Sequence, residues 1–286
     1  CLQMPWLYFA FELTVLNGLL IYMMWRHERI CKRFVKELAD GVDYLFFNGD
    51  ANFPINVGTR VGHRLGEIYA KNLYKRDENG NMIVNKQGRP TKVSGEDAFQ
   101  YTLDHPIGNI EPDLLMSVSP SFTYKGFTLS ALFDMKFGGD IVSVSEAMAT
   151  STGLAARTAN RGNAENGWKI VAPGVTADGT VNSTAMNAQR YYTSMSGMAE
   201  EFVYDASFIK LKELSLGYSF PKSILKKTPL TSLNVAFVAR NLAYLMKHTP
   251  GTSPEGGYDT SMFSQAIDYM SVPYTRTFGL SINLGF

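Results

Sequence analysis

From residue 117 onward, apolar and polar positions alternate with period two, the mark of strands whose two faces meet different surroundings. In Ser117–Tyr124, Val118, Pro120, Phe122 and Tyr124 share one face, and Ser117, Ser119, Ser121 and Thr123 the other. Lys125-Gly126 then reads as a two-residue hairpin turn. Phe127, Leu129, Ala131, Phe133, Met135 and Phe137 line one face of the next run, against Thr128, Ser130, Asp134 and Lys136, with Leu132 as the exception. That alternation outlasts the usual strand of about five or six residues. It returns with Leu214, Leu216, Tyr218 and Phe220, whereas Ile209 and Leu211 carry the opposite phase, which predicts a bulge near Lys212. Leu233, Val235, Phe237 and Ala239 form another such face. The sequence closes on Phe278, Leu280, Ile282, Leu284 and Phe286, each separated by one small or polar residue.

Two environments produce this pattern. A soluble sandwich puts water outside and a core inside; a transmembrane β-barrel puts lipid outside and a polar lumen inside. The connections favour the second. They run 125–126, 139–205, 221–231 and 244–272, short and long in turn, as in a barrel with short periplasmic turns and long external loops. The predicted fold class is therefore all-β, an antiparallel transmembrane β-barrel, with Phe286 at the periplasmic rim. Segment 139–205 is rich in Gly, Ala, Asn, Ser and Thr and reads as a long external loop, where binding chemistry usually sits. Trp168, Tyr191 and Tyr192 are its candidates for stacking on a sugar or peptide; the alternative is that they pack the loop against itself. Arg276 falls in the lipid-facing phase near the outer interface, and Tyr274 beside it suits an aromatic girdle.

The first 34 residues do not share the pattern. Met4–Trp25 is a mostly apolar stretch of about one bilayer's length, interrupted by Glu12 and Asn17 and followed by Arg26, His27, Arg29, Lys32 and Arg33. It lacks the layout of a signal peptide. A shifted reading frame or misjoined start is the first explanation; a genuine helix and an unusual strand are the others.

Composition removes several function classes. With 27 basic and 26 acidic residues the net charge is +1, so no global field draws in nucleic acid. Two cysteines, Cys1 and Cys31, make no disulfide framework, and His27, His63, His105 and His248 lie too far apart in sequence to announce a metal site. No nucleophile elbow, phosphate loop or metal-binding helix is present, so neither an enzyme nor a cofactor is expected. Glu201, Asp205 and Glu213 are scattered carboxylates. Glu255 and Asp259 in PEGGYD are the only candidates for a hard cation, and the expectation is that no metal binds.

Several blocks resemble SusC/RagA-type TonB-dependent outer-membrane transporters, in that family's order: Ile107–Ser143, Asp205–Pro221, Leu233–Leu245, Thr249–Asp259 and Tyr274–Phe286, together with Asp77–Pro90. The resemblance covers roughly residues 35–286. It implies the C-terminal portion of a large barrel of the roughly 22-stranded, plugged type. About six to eight strands are legible, near the smallest number that closes any barrel. It further implies TonB-driven import of oligosaccharides or peptides in the outer membrane of a Gram-negative bacterium, with a SusD-like surface lipoprotein as lid. The TonB complex would act through an N-terminal plug not seen here, so the piece alone would be inactive. Phe278, Leu280, Ile282, Leu284 and Phe286 resemble the signal read by the barrel-assembly machinery. The alternative function is a soluble, secreted β-rich glycan- or peptide-binding module tethered by an N-terminal helix.

Overall fold

The computed structural model describes residues 34–48, 55–226, 228–257, 266–272 and 274–286. The apolar N-terminal segment and Asp259 lie outside the described residues. An N-terminal block contains β1 (Tyr44–Asn48), β2 (Ile55–Arg60), β3 (Glu67–Ala70), β4 (Asn72–Tyr74), β5 (Lys92–Ser94), helix α1 (Glu96–Asp104) and β6 (Gly108–Asn109). Next come β7 (Leu114–Val118), β8 (Ser121–Tyr124) and β9 (Phe127–Phe137). Segment 139–205 holds β10 (Asp140–Ser143), α2 (Val144–Thr152), β11 (Lys169–Val171), β12 (Ala185–Asn187), α3 (Ala188–Met195) and β13 (Val203–Asp205). The remainder is β14 (Phe208–Ser219), the short helix α4 (Lys222–Leu225), β15 (Ser232–Lys247), β16 (Ile267–Asp268) and β17 (Thr277–Gly285).

The predicted alternating strands form one antiparallel sheet in the order β17-β15-β14-β9-β7, with β8 also paired to β9. Register explains why the alternation was needed. Residues directly opposite in an antiparallel pair point to the same side, so Tyr124, Phe127, Tyr218, Val235 and Ile282 form one row across the sheet, and Phe122, Leu129, Leu216, Phe237 and Leu280 the next. Every member of these rows is apolar or aromatic. The opposite face carries Thr123, Thr128, Gly217, Ala236 and Ser281. The register slips between Leu211 and Glu213 against both neighbours: against β9 Lys212 is the extra residue, whereas against β15 the extra residue lies on β15, between Arg240 and Ala243. The bulge at Lys212 returns Leu211, opposite Phe133, to the apolar face despite its reversed phase in sequence.

Lys125 and Gly126 both take positive φ, 47° and 87°, the mirror-image turn that suits a two-residue hairpin. Strand β15 extends to Lys247, beyond the expected end at 243, and β17 begins at Thr277 rather than 273. The sheet is open. Its margins are β17 on one side and β7 with β8 on the other, so the strands of the described residues close no barrel. Too few strands run across it for closure, since the smallest membrane barrels need about eight.

Segment 139–205, read from the sequence as a long external loop, carries helices, short strands and a core of its own. Ser143 caps α2: its Oγ accepts from the Glu146 amide at 3.1 Å, and Gly153 ends the helix in the left-handed conformation. Asn187 caps α3 in the same way, accepting from the Arg190 amide at 3.1 Å. Ala147, Ala172, Met186, Tyr191, Tyr192, Met195 and Phe202 bury one another. Strand β10 pairs antiparallel with β13 and parallel with β16, so the two long connections, 139–205 and 248–276, interlock. Ser143 Oγ donates to Asp268 Oδ2 at 2.7 Å across that joint. A second core joins Ile55, Val57 and Ile68 of the N-terminal block to Val142, Ala266 and Ile267. Both long connections leave one end of the sheet. The two-residue turn, residues 220–231 and Phe286 lie at the other.

Candidate functional site

Two surfaces carry the candidate chemistry: the faces of the long sheet, and the folded cap at its long-connection end. On the apolar face, Phe122, Phe127, Leu129, Leu216, Phe237, Phe278, Leu280, Ile282 and Leu284 all stand exposed, from 44% to 70%. Phe237 and Phe278 stack across β15 and β17 with ring centroids 6.2 Å apart, and Phe127 lies 4.5 Å from Tyr218. Scattered apolar residues are normal on a protein surface; a continuous field of them marks a membrane or a partner. The terminal set Phe278, Leu280, Ile282 and Leu284 belongs to this face, with Phe286 82% exposed just beyond β17.

The opposite face is polar and cross-linked. Lys212 Nζ lies 2.7 Å from Asp134 Oδ2, Ser117 Oγ donates to Asp134 Oδ1 at 2.9 Å, and Arg240 Nε donates to Glu213 Oε2 at 2.8 Å. Lys210 is only 3% exposed and meets Glu255 Oε2 at 2.5 Å, with its ammonium 5.1 Å from the Tyr244 ring centroid and 4.5 Å from that of Tyr274. The Tyr244 hydroxyl also donates to Glu255 at 2.5 Å. Tyr274 thus turns to the polar side rather than joining a girdle on the apolar face. Glu255 is a partner of Lys210, which neutralises the charge a cation would need. No cluster of three or more His, Cys, Asp or Glu converges among the described residues.

In the cap, Tyr191 and Tyr192 are buried, 7% and 8% exposed, and pack edge to face with centroids 5.2 Å apart. Burial, with Glu201 nearby, pushes the Tyr191 phenol up to about 12. The Tyr192 hydroxyl donates to the carbonyls of Arg157 and Asn160. Trp168 is different: it is 49% exposed and has φ of 56°, a conformation few non-glycine residues adopt. Its amide donates to Asn163 O at 2.8 Å and its carbonyl accepts from the Ala188 amide at 2.9 Å, which fixes the indole at the start of α3. Trp168 and Tyr192 line the same cleft of about 600 Å³ with Thr150, Thr158 and Arg161. A second cleft of about 670 Å³ adjoins it, walled by Asn85, Arg89 and Arg190.

Sequence reasoning missed Asn85–Arg89 as part of a cleft wall. The reason is local: Asp77 Oδ1 accepts the amides of Asn79 and Asn81, and Asn85 Oδ1 those of Gln87 and Arg89. Two successive side-chain-stabilised turns therefore account for the block Asp77–Pro90. The scattered carboxylates do not converge. Glu201 pairs with Arg157, Asp205 with His248 and Glu213 with Arg240.

A TonB-dependent receptor of Formosa agariphila is 30% identical over 253 residues, 86% of this chain and 22% of that protein. The TonB-dependent receptor SusC of Bacteroides thetaiotaomicron is 25% identical over 275 residues, 92% of this chain and 24% of that protein. Along most of its length the chain is thus similar to TonB-dependent receptors of the SusC type. Its fold is shared with the RagAB peptide importer in the open-open state, at a TM-score of 0.54 and 19% identity over 88% of this chain and 25% of that one. A second RagAB peptide transporter structure gives 0.55 at 16% identity. No family model matches the chain. It spans about a quarter or less of the length of these relatives.

Proposed function

We propose that residues 35–286 form part of the wall and external cap of a TonB-dependent outer-membrane importer. The observation that carries this is the sheet with one greasy and one charged, hydrogen-bonded face. Lipid suits Phe127, Leu129, Phe237 and Ile282, whereas a wet lumen suits Asp134, Lys212, Glu213 and Arg240. In this reading the open sheet is completed into a large barrel by further strands of a longer protein. The short-turn end faces the periplasm and the cap faces outward.

The cargo is an oligosaccharide or a peptide, reached through the cap and covered by a SusD-like lipoprotein. Energy arrives from the TonB complex through a plug domain, and insertion uses the barrel-assembly machinery, with Phe278–Phe286 as its recognition strand. The piece alone transports nothing. A soluble secreted module would have to leave the whole apolar row in water, which argues against that alternative.

Spin labels at Leu129 and Ile282 test the assignment in native outer-membrane vesicles. Both labels are expected to relax strongly with lipid-soluble oxygen and weakly with a water-soluble nickel chelate. The reverse order would place these positions in water or in a protein core and end the proposal.

A further inference from the structure

We infer that the groove over the start of α3 binds an oligosaccharide carrying anionic groups, an inference that rests on the cap being the cargo side. The two clefts described above meet there, because Asn187 and Gln189 line both. Arg89 and Arg190 line one and Arg161 the other, and no carboxylate lines either. The three guanidiniums are exposed, and none has an ion-pair partner among the described residues. Among the other described arginines all but Arg276 are matched: Arg60 with Asp104, Arg64 with Asp113, Arg76 with Glu200, Arg157 with Glu201 and Arg240 with Glu213. In a chain of net charge +1, such an unmatched trio is a local bias toward anions.

The arginines are also partly positioned. Arg89 Nε donates to Ser194 Oγ at 3.2 Å, and one terminal nitrogen of Arg161 donates to Gly153 O at 3.3 Å. Each contact steadies a side chain and leaves most of its fork of donors facing outward, ready for a carboxylate or sulfate. Thr150 adds an independent sign of an occupant: it lines the cleft, is fully buried, and its hydroxyl has no partner among the described residues. Buried hydroxyls are ordinarily satisfied.

The remaining features select a sugar over a peptide. The half-exposed Trp168 ring offers a flat apolar platform to the C–H face of a pyranose. Asn187 and Gln189 both donate and accept, as sugar hydroxyls require. Helix ends and turns make most of the walls, whereas extended peptides are commonly held along a strand edge.

The test is calorimetric titration of the detergent-solubilised receptor that carries this chain. The probes are a tetragalacturonate, a sulfated galactan tetrasaccharide, neutral maltotetraose and tetraglutamate. At least one anionic saccharide is expected to bind more tightly than maltotetraose and tetraglutamate, with affinity that falls as salt rises. The two anionic saccharides separate carboxylate from sulfate recognition. Arg161→Gln and Arg190→Gln are each expected to weaken that binding by about tenfold, the loss of one charge-assisted hydrogen bond. Trp168→Ala is expected to weaken it as well, and unchanged heat-modifiable migration of each variant would confirm intact assembly. Equal binding of maltotetraose, tighter binding of tetraglutamate, salt-independent affinity, or no binding by any probe would overturn the inference. None of those outcomes bears on the wall assignment, which the oxygen-accessibility measurement tests separately.

Discussion

Phe133→Arg puts the sidedness of the sheet to its hardest test. Phe133 sits opposite Val118 on β7 and Leu211 on β14, inside the apolar rows. It follows the hairpin end of β9, Phe127, by six positions, or roughly 20 Å at about 3.3 Å per residue. In the proposed membrane wall, a tilt of about 40° turns that into roughly 15 Å along the membrane normal, close to the middle of an apolar band about 25 Å tall. A guanidinium held there costs about 2–4 kcal/mol. That corresponds to a loss of roughly 30- to 700-fold in the folding equilibrium. Ser130→Arg in the same strand points to the polar side, opposite Ser215, and is expected to cost under about 1 kcal/mol, as exposed polar changes do. Urea titration of the full-length receptor in phospholipid vesicles, followed by heat-modifiable migration, reads both values. If Phe133→Arg unfolded at the same urea concentration as the parent while Ser130→Arg was destabilised, the two faces would have been assigned the wrong way round.

Three further perturbations address single devices in the fold. Gly126→Ala places a Cβ 2.9 Å from Ser219 O at φ of 87°, so the hairpin is expected to lose about 1–2 kcal/mol in the same urea titration, a left-handed alanine being the cause. Lys210→Met strands Glu255 without its cation and is expected to cost about 3 kcal/mol, with the Lys210→Met, Glu255→Gln double variant recovering at least half of that. For Asp205, burial raises the carboxyl, but hydrogen bonds from the Ser207 hydroxyl and amide and from His248 outweigh it and hold its pKa below the usual carboxylate value. A depressed folded pKa gives stability that is present above the unfolded value of about 3.9 and is lost as pH falls through the folded one. Proteolysis in the 248–257 segment should therefore quicken only below about pH 4, and Asp205→Asn should abolish that acid step.

The long strands were legible because a whole face of each had to be apolar, which leaves a period-two record at almost every residue. Even the bulge at Lys212 against β9 was readable, since Ile209 and Leu211 could rejoin that face only if one residue was spare. The cap left no comparable record. Its core gathers single residues such as Ala147, Ala172, Met186 and Phe202 from separate short elements, and its parallel pairing joins Val142 to Ile267 across the chain. Glu255 stood out in sequence as a weak candidate for a cation ligand because its actual partner, Lys210, lies 45 positions away on another element. Trp168 could be picked out as an aromatic in a polar segment. The unmatched arginines could not, because the absence of a neighbouring carboxylate is a fact of three-dimensional placement.

The raw margins of the sheet have a consequence for how such a protein is made. Strand β17 is hydrogen-bonded to β15 alone, so along its outer side successive amides and carbonyls meet no neighbour among the described residues. A ribbon like that, greasy on one surface and unzipped along its rim, adheres to any other extended chain it encounters in water. Production of the piece by itself should yield insoluble stacks unless that rim is paired or covered.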